Sequence, residues 1–197
     1  MLQFKTAPLI ETDRLIIRIV SIDDAKDFYD FCKDPKVCTY LTFNPYKSVF
    51  YTKHILNNMI NAYIHGTDAN FSIIYKENNK VIGSISLHFF ENINVGDVGY
   101  LLNSSYWNKG IMSEALNAFV NIAFNYYKLD TLTASYIVQN KTSEKLLNKV
   151  GFKMYEYVED GIIKNNKSDG CAEPGQDGLS LLRTGSGSGF SPLLQDL

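Results

Sequence analysis

The segment Gly99-Tyr100-Leu101-Leu102-Asn103-Ser104-Ser105-Tyr106-Trp107-Asn108-Lys109-Gly110-Ile111-Met112-Ser113-Glu114-Ala115 carries the residue types best suited to chemistry in this chain. A strand-like run ends, a short polar loop with one glycine follows, and an amphipathic helix begins. The first turn of a helix leaves its N–H groups without intrahelical partners. Those donors and the helix dipole together favour a phosphate or a pyrophosphate. Gly110 lets the backbone approach such a ligand closely. Lys109 adds a positive charge and Ser113 a hydroxyl donor. One glycine ahead of a helix is also what an ordinary turn requires. The chain has neither a GxxxxGK[ST] phosphate loop nor a GxGxxG dinucleotide fingerprint.

The elements that must position this loop alternate between strand and helix patterns. Arg14–Val20 is rich in β-branched residues and reads as a strand. Ser21 is placed to cap a helix running to about Cys32, with Asp23 and Asp24 in its first turn. Ser48 opens a second helix, whose apolar stripe is Ile55, Leu56, Met59, Ile60, Tyr63 and Ile64. Strand-like runs follow at Phe71–Tyr75, Val81–Phe90 and Val98–Leu102, with Asn78-Asn79 as a turn between the first two. A third helix starts near Ile111. Thr131–Val138 then reads as a strand, Thr142–Lys149 as a short helix closed by Gly151, and Phe152–Val158 as a strand. The order βαα-βββ-αβαβ predicts one mixed α/β or α+β domain.

Composition bounds the function. Of 197 residues, 45% are hydrophobic and 20% charged, which excludes a wholly disordered chain. The net charge is −2, without the basic excess of a phosphate-neutralising protein, so no nucleic-acid partner is expected. No run approaches the about 18 apolar residues of a membrane span. Cys32, Cys38 and Cys171 have no CxxC spacing, and His54, His65 and His88 form no ligand pattern with them, so neither a metal nor a disulfide framework is expected. A reducing, cytoplasmic setting is the expectation. Composition changes near residue 167. All 16 lysines, 18 asparagines and 13 tyrosines precede it, while the last 30 residues hold six of the 13 glycines. Residues 1–167 are therefore read as the domain. Residues 168–197 are read as a Gly/Ser-rich tail, either foreign (a fusion scar, frameshift or recombined end) or native and poorly ordered.

The sequence resembles the GCN5-related N-acetyltransferases (GNAT), and within them the branch that acetylates ribosomal-protein N-termini, from about Ile10 to Lys167. Glu11-Thr12-Asp13-Arg14-Leu15-Ile16-Ile17-Arg18 is similar to that branch's "TeRLxLR" opening, and Asp34-Pro35-Lys36-Val37 to its "dpev" segment. Trp107-Asn108-Lys109-Gly110-Ile111-Met112 falls on the [Q/R]-x-x-G-x-[G/A] acyl-CoA loop, followed by Ser113-Glu114-Ala115 for "tEA". Asn140-Lys141-Thr142-Ser143 and Lys149-Val150-Gly151-Phe152 match "N-x-x-S … K-x-G-F". Trp107 replaces the usual Gln or Arg. Met112 stands where Gly or Ala is usual, a long side chain beside the expected pyrophosphate.

The resemblance implies a mixed, mostly antiparallel central sheet flanked by helices. It also implies acetyl-CoA as donor and a primary amine as acceptor. The pyrophosphate is then expected on the amides from Asn108 to Ser113, and the pantetheine arm along Tyr100–Asn103. Backbone near Leu101 and Leu102 would polarise the thioester carbonyl. Asn140 corresponds to the residue that bonds the CoA arm, or it caps the short helix. Ser143 corresponds to a proton donor for the leaving thiolate, or it too caps that helix. Leu147 stands where many relatives have a tyrosine acid. Asp97 is the candidate base, or a turn residue, with Glu91 and His88 as further options. The family's last strand is expected to be atypical or missing, with Leu179–Arg183 as a loose substitute. The function so implied is acetyl transfer to a protein N-terminal amine by direct attack in a ternary complex, in a monomer or homodimer. A polyamine or aminoglycoside acetyltransferase, and a non-catalytic acyl-CoA-binding module, are the alternatives.

Overall fold

Apolar residues at strand and helix spacing assemble into the following elements: β1 (Ile10–Glu11), β2 (Leu15–Ile19), α1 (Ala25–Cys32), α2 (Pro35–Cys38), α3 (Val49–His65), β3 (Asp68–Tyr75), β4 (Lys80–Phe89), β5 (Val95–Leu102), α4 (Ile111–Asn125), β6 (Thr131–Ile137), α5 (Lys141–Lys149), β7 (Lys153–Ile162) and β8 (Gln176–Thr184). The protein is represented by a computed structural model that describes residues 7–90, 94–162 and 176–184. Glu91, Cys171 and the glycine–serine run at 185–189 lie outside the described residues.

The strands form one sheet in the order β1-β2-β3-β4-β5-β6-β8-β7. All neighbours are antiparallel except β5 and β6. One face is covered by α4 and α5. There Phe71 meets Phe119 edge to face at 5.2 Å, and Leu116, Ala123 and Leu147 are fully buried. The other face is covered by α1 and α3 through Phe28, Phe31 and Leu56. Alternation along the strands thus feeds two cores, one on each side.

Local signals act where their chemistry predicts. Ser48 accepts from the Tyr51 N–H at 3.1 Å and starts α3. Ser21 and Asp24 form a capping box, here around a 3-10 turn at Ile22–Asp24 that precedes α1. Asn79 has φ 54° in its turn, and Gly151 has φ 91° after α5. Ile64 departs from the expected stripe and is 70% exposed in the last turn of α3.

The chain holds elements beyond the expected order, namely β1, α2 and β8. Leu179–Arg183 lies within β8, which sits between β6 and β7 and pairs with both. The sheet therefore does not stop short, although this strand belongs to the stretch that composition sets apart. A run of leucines spaced by a serine can supply a strand whatever surrounds it, because backbone pairing asks little of side-chain identity.

Candidate active site

The parallel pairing of β5 with β6 covers only Val95, Gly96 and Asp97 against Thr131, Leu132 and Thr133. Beyond it the two strands diverge. Each is held from its outer side: β5 by β4 as far as Gly83↔Leu102, and β6 by β8 as far as Ile137↔Gly178. The inner edges of residues 98–102 and 134–137 consequently face a gap rather than each other. A cavity of about 1020 Å³ opens at this fork. Its lining comes from β5, β6, the loop before α4 and that helix's first turn, one face of α5, and α2 with the segment that follows it.

The loop is built as an anion cradle. After β5, Asn103 caps a short turn by accepting from the Ser105 N–H at 3.0 Å. The Trp107 indole donates to the Leu102 carbonyl at 2.8 Å and ties the loop back to the strand. Asn108 and Gly110 both lie in the left-handed region, at φ 60° and 72°. Such residues in alternation turn successive N–H groups toward one point. The first ladder bond of α4 runs from the Glu114 N–H to the Gly110 carbonyl at 3.1 Å. Among the described residues, the N–H groups of Asn108 to Ser113 meet no protein acceptor, and α4 has no side-chain cap. Six consecutive free donors at a helix start suit a diphosphate. Met112 is 7% exposed, packs against the core and also lines the cavity. The Lys109 ammonium rests over the Tyr106 ring, 5.4 Å from its centroid, beside the loop.

Asp97 lines the cavity at the base of the fork. The Thr133 hydroxyl donates to its carboxylate at 2.7 Å. Burial pushes this carboxyl above its usual range, partly offset by Thr133 and by the charge of His88. His88 itself does not line the cavity. It pairs with Asp68 at 2.8 Å and its side chain is 51% exposed.

On the other wall, the Asn140 side chain accepts from the Ser143 N–H at 3.1 Å, so Asn140 caps α5 while also lining the cavity. Its amide nitrogen carries two more donors. Ser143 lines the cavity from the first turn of α5. Leu147 is fully buried in the core and takes no part. Tyr100 was not singled out by the sequence. Its hydroxyl is buried without a hydrogen bond of good geometry, yet it lies close enough to Ser143 for the two to interact. Burial pushes the Tyr100 phenol up to about 12, so it stays protonated across the physiological range.

A third side of the cavity is formed by Lys36, Val37 and 39–42. Asp34 joins this side to the loop before α4. One carboxylate oxygen accepts the Lys36 N–H at 3.0 Å and starts α2, and the other accepts the Ser104 hydroxyl at 2.8 Å. Contacts spanning 70 residues leave no local signal in a sequence. The fork therefore brings together Asp97, Leu101, Leu102, Trp107, Asn108, Gly110 to Ser113, Asn140 and Ser143, and leaves His88 and Lys109 outside its lining.

Residues 14–153 match the family model described as an acetyltransferase (GNAT) domain. The chain is 29% identical over 155 residues to a protein of Bacillus licheniformis named uncharacterized N-acetyltransferase p20, covering 78% of this chain and 84% of that one. It is 25% identical over 167 residues to the [ribosomal protein uS5]-alanine N-acetyltransferase of Escherichia coli, covering 78% and 82%. A solved structure of a ribosomal L7/L12 alpha-N-protein acetyltransferase in complex with coenzyme A shares the fold, with TM-score 0.79 at 18% identity over 90% of this chain and 98% of that one.

Proposed function

The chain belongs to the acetyltransferase (GNAT) family and is an acetyl-CoA-dependent N-acetyltransferase, and from that premise we propose that it acetylates the N-terminal amine of a protein in the cytoplasm, by direct attack within a ternary complex. The residues present fit the co-substrate. The free amides of 108–113 receive its diphosphate, with Lys109 beside them. The gap-facing edge of Tyr100 to Leu102 accepts the pantetheine arm alongside it, and the Asn140 amide steadies it. Acetyl-CoA supplies an activated acyl carbon. Backbone donors near Leu101 and Leu102 stabilise the oxyanion that forms there. Asp97 takes the proton that the attacking amine must lose. Its raised pKa brings it nearer the operating pH, where a base is most effective. The Ser143 hydroxyl donates a hydrogen bond to the departing thiolate, which then takes its proton from water. A thiol titrates near about 8.5, so the thiolate leaves without a full proton transfer from Ser143.

The charge of the cavity carries the choice of acceptor. Its described charged lining is Lys36, Lys145 and Lys149 with one carboxylate, Asp97. A polyamine or aminoglycoside holds several positive charges, and such a wall repels them. A peptide presents one amine on a backbone that is otherwise neutral near its end. The likeness to a relative named for a ribosomal-protein alanine supports the same acceptor. The test is a panel of short peptides with free or blocked N-termini, set against spermidine and kanamycin. Turnover confined to free N-termini is expected. Faster turnover of the polycations would replace this reading with the small-molecule one, and CoA binding without any turnover would leave only a binding module.

A further inference from the structure

We infer that Arg14, with Thr12 and Glu114, forms a brace that sets the 108–113 loop for a diphosphate, and that these three are positioning residues for acetyl-CoA. The inference rests on the reading that this loop holds the diphosphate. Glu114 stands in the first turn of α4, where an uncompensated carboxylate would compete with an incoming anion for the same helix end. Its two oxygens are saturated instead. One accepts from the Thr12 hydroxyl at 2.5 Å and the Arg14 backbone N–H at 3.0 Å; the other accepts from Arg14 Nε at 2.7 Å and forms an ion pair with Nη2 at 2.6 Å. Burial opposes the charge of Glu114, but these bonds outweigh it and hold the carboxyl below its usual range.

Arg14 also donates from Nη1 to the Lys109 carbonyl at 3.0 Å. That bond fixes the peptide between the two left-handed residues and engages the negative end of its dipole. The brace is anchored in the sheet. Arg14 immediately precedes β2, and its carbonyl accepts the Lys76 N–H at 2.9 Å. The opening segment and the helix start are about 100 residues apart and behave as one piece.

S-acetyl-pantetheine, which lacks the diphosphate, separates this role from a general structural one. The readout is the ratio of kcat/KM for acetyl-CoA over S-acetyl-pantetheine, with any amine the wild type accepts. Arg14→Lys keeps a charge but loses the planar fork, and the ratio falls roughly tenfold through KM for acetyl-CoA. Arg14→Gln leaves the Glu114 charge uncompensated and lowers the ratio further. Adding Glu114→Gln to that variant recovers part of the loss. An equal fall with both donors, or an unchanged ratio in both Arg14 variants, overturns the brace. A wild type that does not distinguish the donors removes the diphosphate from the loop, and the brace's purpose with it.

Discussion

Replacing Gly110 tests how the cradle is held. Gly110 has φ 72° and ψ 4°, a conformation in which an L side chain clashes with its own backbone. Space is not the obstacle. A Cβ built there meets only Arg14 Nη2, at 3.7 Å, an ordinary contact. The cost of Gly110→Ala is therefore conformational, about 1 to 2 kcal/mol. If the loop keeps its shape, that cost appears as a lower melting temperature. If the loop relaxes, it appears as weaker CoA binding, between about fivefold and thirtyfold. Asparagine tolerates the left-handed region and a β-branched residue does not. Gly110→Asn should thus be milder than Gly110→Ala, and Gly110→Val the worst. Calorimetric titration with CoA, paired with thermal melts, reads both quantities. If Asn proves as damaging as Val, positive φ is not what the position requires.

The remaining predictions concern the other wall, the base and the sheet. Ser143→Ala should lower kcat about tenfold with little change in either KM, since the leaving thiolate asks little of its acid; Tyr100→Phe should act in the same direction if the phenol supports Ser143. Asp97→Asn should slow turnover most above the wild-type carboxyl's raised pKa. Because folding favours the protonated form of Asp97, wild-type stability relative to Asp97→Asn is greatest below the unfolded carboxyl value near 3.8 and declines as pH rises through the folded value, which melts across pH would show. Truncation after Lys167 removes β8 from between β6 and β7, so a large drop in melting temperature is expected, and an unchanged one would show that the pairing does not hold the sheet.

The sequence made the local features plain. The caps at Ser21 and Ser48, the left-handed stops at Asn79 and Gly151, and the glycine that opens α4 are short-range chemistry, and each sits where its residue type implies. The fork was not legible. It depends on where β5 stops pairing with β6, and that is decided by their outer neighbours β4 and β8. For the same reason Arg14 with Glu114, Asp34 with Ser104 and Tyr100 with Ser143 were out of reach, because each pair is joined only once the sheet has formed. Met112 stood out on the loop by its type alone; that it sits between the core and the cavity wall is set by the helix. β8 was obscured by its surroundings, since glycine- and serine-rich flanks look like linker while the strand itself is ordinary.

Amide shifts in a ¹⁵N-labelled sample titrated with CoA, and separately with pantetheine, test the cradle most directly. The N–H signals of Asn108 to Ser113 should move with CoA at saturation and stay nearly still with pantetheine, while those of Tyr100 to Leu102 move with both. Saturable CoA binding that leaves the 108–113 amides unmoved would contradict the account.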